Sequence, residues 1–517
     1  MKSNYSNWQS ILKKRAASPL ITGTLLLSGA GLASRLIGFF YKIFLSRAIG
    51  AENLGLYQLA FPVLSLGMSL TSSGIQTALS RAVAGAQNQH SLKNAATFAH
   101  SAQTVPEQGA GNRTALQHRY FMAAAMLSLG LAALFSVIVL WKSNWIASEL
   151  LGDERCAPLL VAAVCSLFPG CLHACMNGYY FGKKEATIPA ASQFAEQVGR
   201  VGAVYLVFRF AAARGESIGA IHAMWGVAIG ECFGVVVTVA AMLWHKFYTS
   251  RQHTASGASA TSGHSTASEA SATSYAAGQH TASGASATSG HSTDSKSCAA
   301  SLSLPCAIGI IGSIAFPMTF NRVIISICHS VENALLPQQL ALSGMTQSAA
   351  LFLYGILSGM ALSVIHFPSV LTGSLSDLLL PSVSEAFASG QRTRIAHLIR
   401  RSVTIGLSFG FLFTIFFLLC GDFIGSTLFD SAAAGEYIRR LAFVCPFLYL
   451  SGLLGSILHG LGRPRTVLFI NLLSCLIRIA FILLLVPSCG VGAYLWSMLL
   501  SQVFCATGSL AALWEYM

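Results

Sequence analysis

Residues 34–66 read SRLIGFFYKIFLSRAIGAENLGLYQLAFPVLSL, two apolar runs separated by a short polar segment. Both runs extend into neighbouring apolar sequence and reach the ~20 residues that a helix needs to cross a bilayer. The stretch therefore predicts two membrane-spanning helices. A charge at mid-bilayer costs at least ~2.5–3.5 kcal/mol on insertion scales, so Arg35 and Lys42 within the first run require an explanation.

The whole chain has the composition of a membrane protein. Of its 517 residues, 54% are hydrophobic and 9% are charged, and the mean hydropathy is +0.62. Soluble proteins average roughly 25% charged residues, so this chain could not cover a soluble surface. The composition excludes a cytosolic enzyme, a secreted disulfide scaffold and a disordered chain. The net charge of +13 indicates membrane topology and lipid headgroups rather than nucleic acid as a partner.

Apolar segments recur along the chain and predict an all-α, polytopic membrane protein with about twelve spanning helices. We place them at roughly 20–47, 55–83, 119–141, 157–181, 187–210, 218–245, 302–328, 349–374, 402–421, 437–459, 465–486 and 490–513. With a cytoplasmic N-terminus, the inner segments carry 19 Lys and Arg residues and the outer segments carry 7. The positive-inside rule therefore predicts that both termini are cytoplasmic.

A low-complexity insertion divides the chain into two halves. The 15-residue sequence QHTASGASATSGHST occurs at 252–266 and again at 279–293. Such a composition cannot bury enough apolar area to fold and predicts a flexible cytoplasmic linker. The predicted organisation is a basic cytoplasmic tail at 1–19, a six-helix lobe at 20–247, the linker at 248–300 and a second six-helix lobe at 301–517.

The two halves resemble each other in sequence. LASRLIGFFYKIF at 32–44 matches TFNRVIISICHSV at 319–331, which aligns Arg35 with Arg322. Six helices per half is an even number, so both halves enter the membrane from the same side. Their pseudo-two-fold axis would then run along the membrane normal, with a substrate site in a central cavity between the lobes.

Charged residues inside the predicted spans are candidate functional groups, because each should face a cavity or a partner. Glu196 and Arg200 are four residues apart on one helical face and can form an ion pair. Glu231 has no such neighbour in its own helix. We treat these three residues, with Arg478 at the position that corresponds to Arg200, as candidate coupling or cavity charges.

Arg35 and Arg322 predict an anionic substrate. Neither has an acidic neighbour in its own span. Facing each other across a cleft, they would form a cationic site, and guanidinium groups bind phosphate oxygens in a bidentate manner. We expect them, together with Lys42, to hold a phosphate or diphosphate headgroup. The alternative for Lys42 is that its ammonium group extends to the membrane surface.

Motifs for catalysis or metal binding are absent from the sequence. It contains no Walker-type phosphate loop, HExxH or GxSxG motif. Cys171, His173 and Cys175 lie on different faces of one predicted helix, which disfavours a metal site. We therefore expect no enzyme, no catalytic residues and no resident cofactor or metal. The one ion that we expect is a coupling cation, H⁺ or Na⁺, if a gradient drives the protein.

The stretch at 34–66 resembles the opening of the stage V sporulation protein B and polysaccharide-export family. So do SGIQTALSRAVA at 73–84, LYGILSGMALSVIHFPSVLTGSLSDLLLPSVSEAFASG at 353–390 and HGLGRPR at 459–465. This family belongs to the multidrug/oligosaccharidyl-lipid/polysaccharide (MOP) flippase superfamily and is related to the lipid II flippase. The resemblance implies a V-shaped cavity between two lobes, a bacterial plasma-membrane location and an essential arginine at Arg35.

The resemblance also implies a function. The expected activity is flipping of a polyprenyl-diphosphate-linked saccharide from the inner to the outer leaflet by alternating access, driven by membrane potential or a cation. The expected partners are that lipid, membrane lipids and, as further candidates, cell-wall synthesis enzymes. Two alternatives stay open. A multidrug or cation antiporter would need an acidic, aromatic cavity, and a non-transporting scaffold for cell-wall synthesis would act through the linker.

Overall fold

The structure, a computed structural model, describes residues 19–87, 110–215, 217–260 and 303–517. Within these ranges the chain is helical and has no β-strand, as the apolar periodicity predicts. The tail predicted at 1–19 lies almost wholly outside the described residues, as does most of the predicted linker. The principal helices are α1 (Pro19–Met68), α2 (Gly74–Gln87), α3 (Ala110–Trp141), α4 (Ala157–Gly182), α5 (Thr187–Ala213), α6 (Ala220–Ala260), α7 (Leu304–Leu342), α8 (Gln347–Tyr354), α9 (Leu362–His366), α10 (Ser369–Ala388), α11 (Arg392–Phe429), α12 (Ala432–Leu441), α13 (Cys445–Gly460), α14 (Pro464–Leu484) and α15 (Val491–Ala512).

Ten helical segments of the described chain are long and apolar enough to cross a membrane. The first, Gly29–Ala86, has 58 residues and covers most of the first predicted span and all of the second. It is broken at Gly50, whose φ of 76° lies in the left-handed region that favours glycine. Helix α5, which carries Glu196 and Arg200, is not among the ten. The protein is an all-α, polytopic membrane protein, and the count of twelve spans stays a prediction.

Several helices are longer than their apolar parts. Helix α7 ends at Leu342, fourteen residues beyond the predicted end at 328, and α11 begins ten residues before the predicted span at 402. Hydropathy identifies only the portion of a helix that lies in hydrocarbon, because the polar turns beyond it carry no such signal. The extra turns of α7 carry Glu332, whose side chain is buried beside Arg478.

The two halves share one core at the end predicted to be extracellular. Buried side chains from both halves belong to a single cluster there, including Leu45, Leu54, Leu357 and Tyr449. Backbone contact supports this packing, because α1 crosses the C-terminal end of α8 at Gly55 and at Gly355, the residue that follows α8. A Cβ atom at Gly355 would overlap the carbonyl group of Ala51. Only glycine allows the two helices to approach this closely.

The halves separate at the end predicted to be cytoplasmic. One cluster there contains Leu79 and Ala123 with Ile311, and a different cluster contains Val383 and Leu458. The first half of α7 thus packs with helices of the N-terminal half of the chain. The result is a cleft between two bundles that is closed at the predicted outer end.

Polar contacts also join the halves at the closed end. The Arg47 Nε atom donates to the Leu428 carbonyl oxygen at 2.8 Å, at the C-terminal end of α11. The Gln338 and Gln347 side chains donate to the carbonyl oxygens of Leu150 and Gly152, each at 2.8 Å. These bonds satisfy backbone carbonyls that have no partner at helix ends.

Candidate functional site

A cavity of about 360 Å³ lies at the interface of the two halves. Helices α1 and α5 of the N-terminal half form most of it, and residues 363–370 of the C-terminal half close the opposite wall. We call it the N-terminal cavity. Its lining consists of Ser34, Arg35, Gly38, Phe39, Tyr41, Lys42, Tyr57, Gln58, Phe61, Gln197, Arg200, Ser363, His366, Phe367 and Val370.

Arg35 faces this cavity because of its register on α1. Residues 35, 38 and 42 recur at helical spacing, so they lie on one face of the helix. The Arg35 side chain is exposed, and its Nη1 atom lies 2.8 Å from the point that a Cβ atom on Gly373 would occupy. The guanidinium group therefore reaches across the interface to α10. Within the described residues it has no carboxylate partner.

Lys42 lies two turns further along the same face. Its Nζ atom donates to the Ser363 Oγ atom at 3.2 Å, a contact between the two halves of the chain. The ammonium group thus points into the protein interface rather than to the membrane surface. Like Arg35, it forms no ion pair in the part of the chain that the structure describes.

Arg200 belongs to a buried charge cluster behind the cavity. Its Nη2 atom lies 2.5 Å from Glu196 Oε1, the ion pair that the helical spacing predicts, and 3.8 Å from Glu231 Oε1. The His173 Nδ1 atom lies 3.3 Å from Glu231 Oε2 and 3.7 Å from Glu196 Oε2, and its Nε2 atom lies 3.1 Å from the Ser192 hydroxyl group. Three side chains, two of them carboxylates, thus contact a single histidine, and Arg200 lies against both carboxylates.

Arg478 occupies a comparable position in the C-terminal half. Its Nη2 atom lies 3.0 Å from Glu332 Oε2, and both side chains are only 8% exposed. His329 and Cys475 also approach Glu332, at 3.5 Å and 3.8 Å from the same carboxylate oxygen. Glu332 lies beyond the predicted end of its span, so hydropathy gives no indication that it is an intramembrane charge.

Arg322 is not brought together with Arg35. It lies on the exposed surface of α7 and does not line the N-terminal cavity. The first half of α7 packs against α2, where the Thr319 backbone nitrogen lies 2.9 Å from the point that a Cβ atom on Gly74 would occupy. A phosphate contact from Arg322 stays a prediction.

The cations that the structure does bring together are Arg35, Lys42 and Arg200, all from the N-terminal half. Sequence reasoning identified each of them as an intramembrane charge. It missed His173, which appeared as a lone histidine because its carboxylate partners come from α5 and α6. The residue spacing within one helix does not show which side chains of different helices lie close together.

Known proteins match both halves of the chain. Residues 20–273 match the family described as polysaccharide biosynthesis protein, and residues 337–484 match the MatE family. Stage V sporulation protein B of Bacillus subtilis (strain 168) is 23% identical over 478 residues, which cover 92% of this chain and 80% of that protein. Sporulation protein YkvU of the same organism is 25% identical over 174 residues, or 34% of this chain and 39% of YkvU.

Solved structures share the fold over almost the whole length. An inward-facing multidrug resistance MATE family transporter of the MOP superfamily superposes with a TM-score of 0.64 at 11% identity, covering 95% of this chain and 98% of that one. An outward-facing structure of such a transporter gives 0.58 at 12% identity, covering 97% and 96%. The lipid II flippase MurJ in an inward closed conformation gives 0.61 at 11% identity, covering 95% and 87%.

The sequence and structural matches together support a multi-pass membrane transporter or flippase. The chain is similar in sequence to the polysaccharide biosynthesis family, to the MatE family and to stage V sporulation protein B, and it shares its fold with transporters of the MOP superfamily. The resemblance expected from the sequence motifs is confirmed. These matches point to a transporter or flippase rather than to an enzyme.

Proposed function

We propose that this protein flips a polyprenyl-diphosphate-linked saccharide from the inner to the outer leaflet by alternating access. One observation carries the proposal. The N-terminal cavity is lined by Arg35, Lys42 and Arg200, and no carboxylate of the described chain lines it. Arg200 is neutralised by Glu196, so Arg35 and Lys42 supply two uncompensated positive charges. A guanidinium fork and an ammonium group suit the two negative phosphates of a diphosphate.

The open end of the cleft gives this substrate a route. The halves are separate at the predicted cytoplasmic end, where the headgroup would enter from the inner leaflet. The polyprenyl tail stays in lipid between the bundles, and the saccharide stays inside the protein. Transfer of unpaired hydroxyl groups into hydrocarbon would cost several kcal/mol each, which the protein avoids. Rocking of the bundles would then open the outer end.

The driving force in this proposal is membrane potential or a coupling cation, H⁺ or Na⁺, held by Glu196 and Glu231. The two carboxylates lie close to His173 and share one arginine. Because Arg200 both contacts these carboxylates and lines the cavity, a cation bound at the cluster would alter the charge presented to the substrate. The proposed setting is a bacterial plasma membrane with both termini cytoplasmic, and cell-wall synthesis enzymes are the proposed protein partners.

Replacement of Arg35 tests the proposal. In proteoliposomes with fluorescent lipid II, we expect Arg35→Ala to lower the flipping rate at least tenfold, because one of the two uncompensated cations is lost. Arg209→Ala is the matched control, since Arg209 is exposed at the end of α5 and should leave the rate unchanged. Both variants are compared at equal protein content, and equal melting temperatures show that both are folded.

Three outcomes would contradict the proposal. Normal flipping by Arg35→Ala would remove the anion site from the mechanism. Uptake of a cationic drug such as ethidium by the wild-type protein, without flipping of lipid II, would identify the antiporter alternative instead. A scaffold would keep its cellular function when Arg35 is replaced, because Arg35 lies inside the cleft and not on a surface that recruits enzymes.

A further inference from the structure

A second cavity, of about 430 Å³, lies within the C-terminal half, and the mechanism above makes no use of it. We call it the C-terminal cavity. Helices α7, α10, α13, α14 and α15 surround it. Arg478 and His329 are its basic residues, and no Asp, Glu or Lys of the described chain lines it. The hydroxyl and amide groups in its wall belong chiefly to Thr372, Ser376, Ser451, Ser474, Asn471 and Gln502.

Several of these polar groups are left without protein partners. The Asn471 Oδ1 atom accepts from the Cys505 thiol, and the Gln502 Oε1 atom accepts from the Ser451 hydroxyl at 3.3 Å. The amide NH₂ groups of Asn471 and Gln502 form no hydrogen bond to any described residue. Arg478 is 7% exposed, and its buried Nε atom also lacks a partner. Of these donors only the Arg478 Nε atom is fully buried, and a buried donor costs free energy unless a ligand or water accepts from it.

The hydroxyl groups of the cavity complement these donors. Ser474 and Thr372 donate their protons to the carbonyl oxygens of Ser501 and Ser369, each at 3.1 Å. Their oxygen atoms keep lone pairs that can accept from a ligand. The cavity therefore offers both donors and acceptors with little net charge. A saccharide, whose hydroxyl groups donate and accept at once, has this pattern, whereas a hydrocarbon tail would leave the amides unpaired.

The two cavities adjoin along α10. Val370 lines the N-terminal cavity, and Thr372 and Gly373 line the C-terminal cavity. The Arg35 Nη1 atom lies 2.8 Å from the point that a Cβ atom on Gly373 would occupy. A diphosphate held by Arg35 would thus lie beside the mouth of the C-terminal cavity. The first sugar of a lipid-linked saccharide is bonded directly to that diphosphate.

We propose that the C-terminal cavity binds the saccharide of the substrate while Arg35 and Lys42 hold its diphosphate. This inference rests on the proposed function and adds a specificity site to it. The lobes then have separate tasks. The N-terminal half recognises the diphosphate that all such lipids share, and the C-terminal half distinguishes among the sugars attached to it.

Binding measurements with two lipids test this division. Native mass spectrometry of the full-length protein in detergent gives the affinities for lipid II and for undecaprenyl diphosphate, which lacks the saccharide. We expect the wild-type protein to prefer lipid II at least tenfold. The double variant Asn471→Leu and Gln502→Met keeps the volumes of both side chains and removes their amides. It should lose about tenfold or more in lipid II affinity, since each net hydrogen bond contributes ~1 kcal/mol.

Undecaprenyl diphosphate is the internal control, because the double variant should bind it as the wild-type protein does. Gln391→Met removes an exposed amide outside both cavities and should change neither affinity. If the double variant folds poorly, Thr372→Val removes one hydroxyl group with little change in shape and should again weaken lipid II alone.

The outcomes separate the two proposals. Equal loss for both lipids, no loss for either, or a wild-type protein without preference would overturn the saccharide site and leave a water-filled cavity. Binding of neither lipid by the wild-type protein would overturn the proposed function itself. Arg35→Ala should weaken both lipids by similar factors, because the diphosphate is common to them.

Discussion

The arginines that line the two cavities fall into two kinds. Arg200 and Arg478 each lie within hydrogen-bonding distance of a glutamate, whereas Arg35 has no carboxylate partner among the described residues. A paired arginine is neutralised and stabilises its own bundle. An unpaired arginine in a cleft retains its charge for a ligand. This difference, and not the mere presence of a charge in a span, separates candidate binding groups from structural ones.

The Arg478–Glu332 pair allows a test of this distinction. Glu332→Gln leaves the guanidinium group buried without its counter-charge, so we expect a loss of stability of ~3–5 kcal/mol. Thermal unfolding of the purified protein in detergent measures it. Glu436→Gln is the matched control, because it breaks an exposed pair with Arg440 that is worth ~0–1 kcal/mol. Equal melting temperatures for the two variants would show that the buried pair does not stabilise the C-terminal half.

Sequence alone could predict the residues whose partners lie on the same helix. The Glu196–Arg200 pair follows from a spacing of four, and Arg35 and Lys42 follow from their place in an apolar run. The contacts of His173 with Glu231 and of Arg478 with Glu332 join different helices. They depend on helix packing, which hydropathy does not encode. Arg322 does not line the N-terminal cavity with Arg35, and its contact with a phosphate stays a prediction.

The sequence was most informative about the helices. Apolar length predicted an all-α membrane fold, and the described helices agree with the predicted segments except at their ends. Polar end turns extended α7 and α11 beyond the predicted spans. The crossing of α1 with α8 could not be predicted, since single glycines occur throughout the chain and the sequence does not show which of them make a close contact.

Because α1 and α8 cross closely, the addition of one methyl group at the crossing should strongly affect stability. In Gly355→Ala the new Cβ atom would overlap the Ala51 carbonyl group, so the helices must separate at the predicted outer end. We expect a destabilisation of ~1–3 kcal/mol, seen as a lower melting temperature, together with slower lipid flipping. In Gly492→Ala the Cβ atom meets no atom within 4 Å, so this control should be neutral or slightly stabilising. Equal melting temperatures and equal flipping rates for the two variants would contradict the close crossing.

At the scale of the whole molecule, one end of the cleft is closed by a core that both halves share. The other end has two separate cores. An alternating-access cycle must open the closed end of the cleft and close the open end. A driving ion must therefore act on a group that lies inside one bundle and also faces the cavity between the bundles. Arg200 meets this requirement. It contacts the carboxylates of Glu196 and Glu231 inside one bundle and lines the cavity between the bundles.

Glu231 is therefore the residue at which coupling can be tested. The Glu231→Gln variant lacks one carboxylate of the cluster. A cation therefore loses the carboxylate for which it would compete with Arg200. We expect flipping of lipid II in proteoliposomes to become insensitive to imposed proton and sodium gradients, while a response to membrane potential persists. The control Glu149→Gln removes an exposed carboxylate and should keep the wild-type response. If the Glu231→Gln variant still responds to the gradients, the coupling site lies elsewhere. If the wild-type protein responds only to membrane potential, the charge on the substrate itself drives transport.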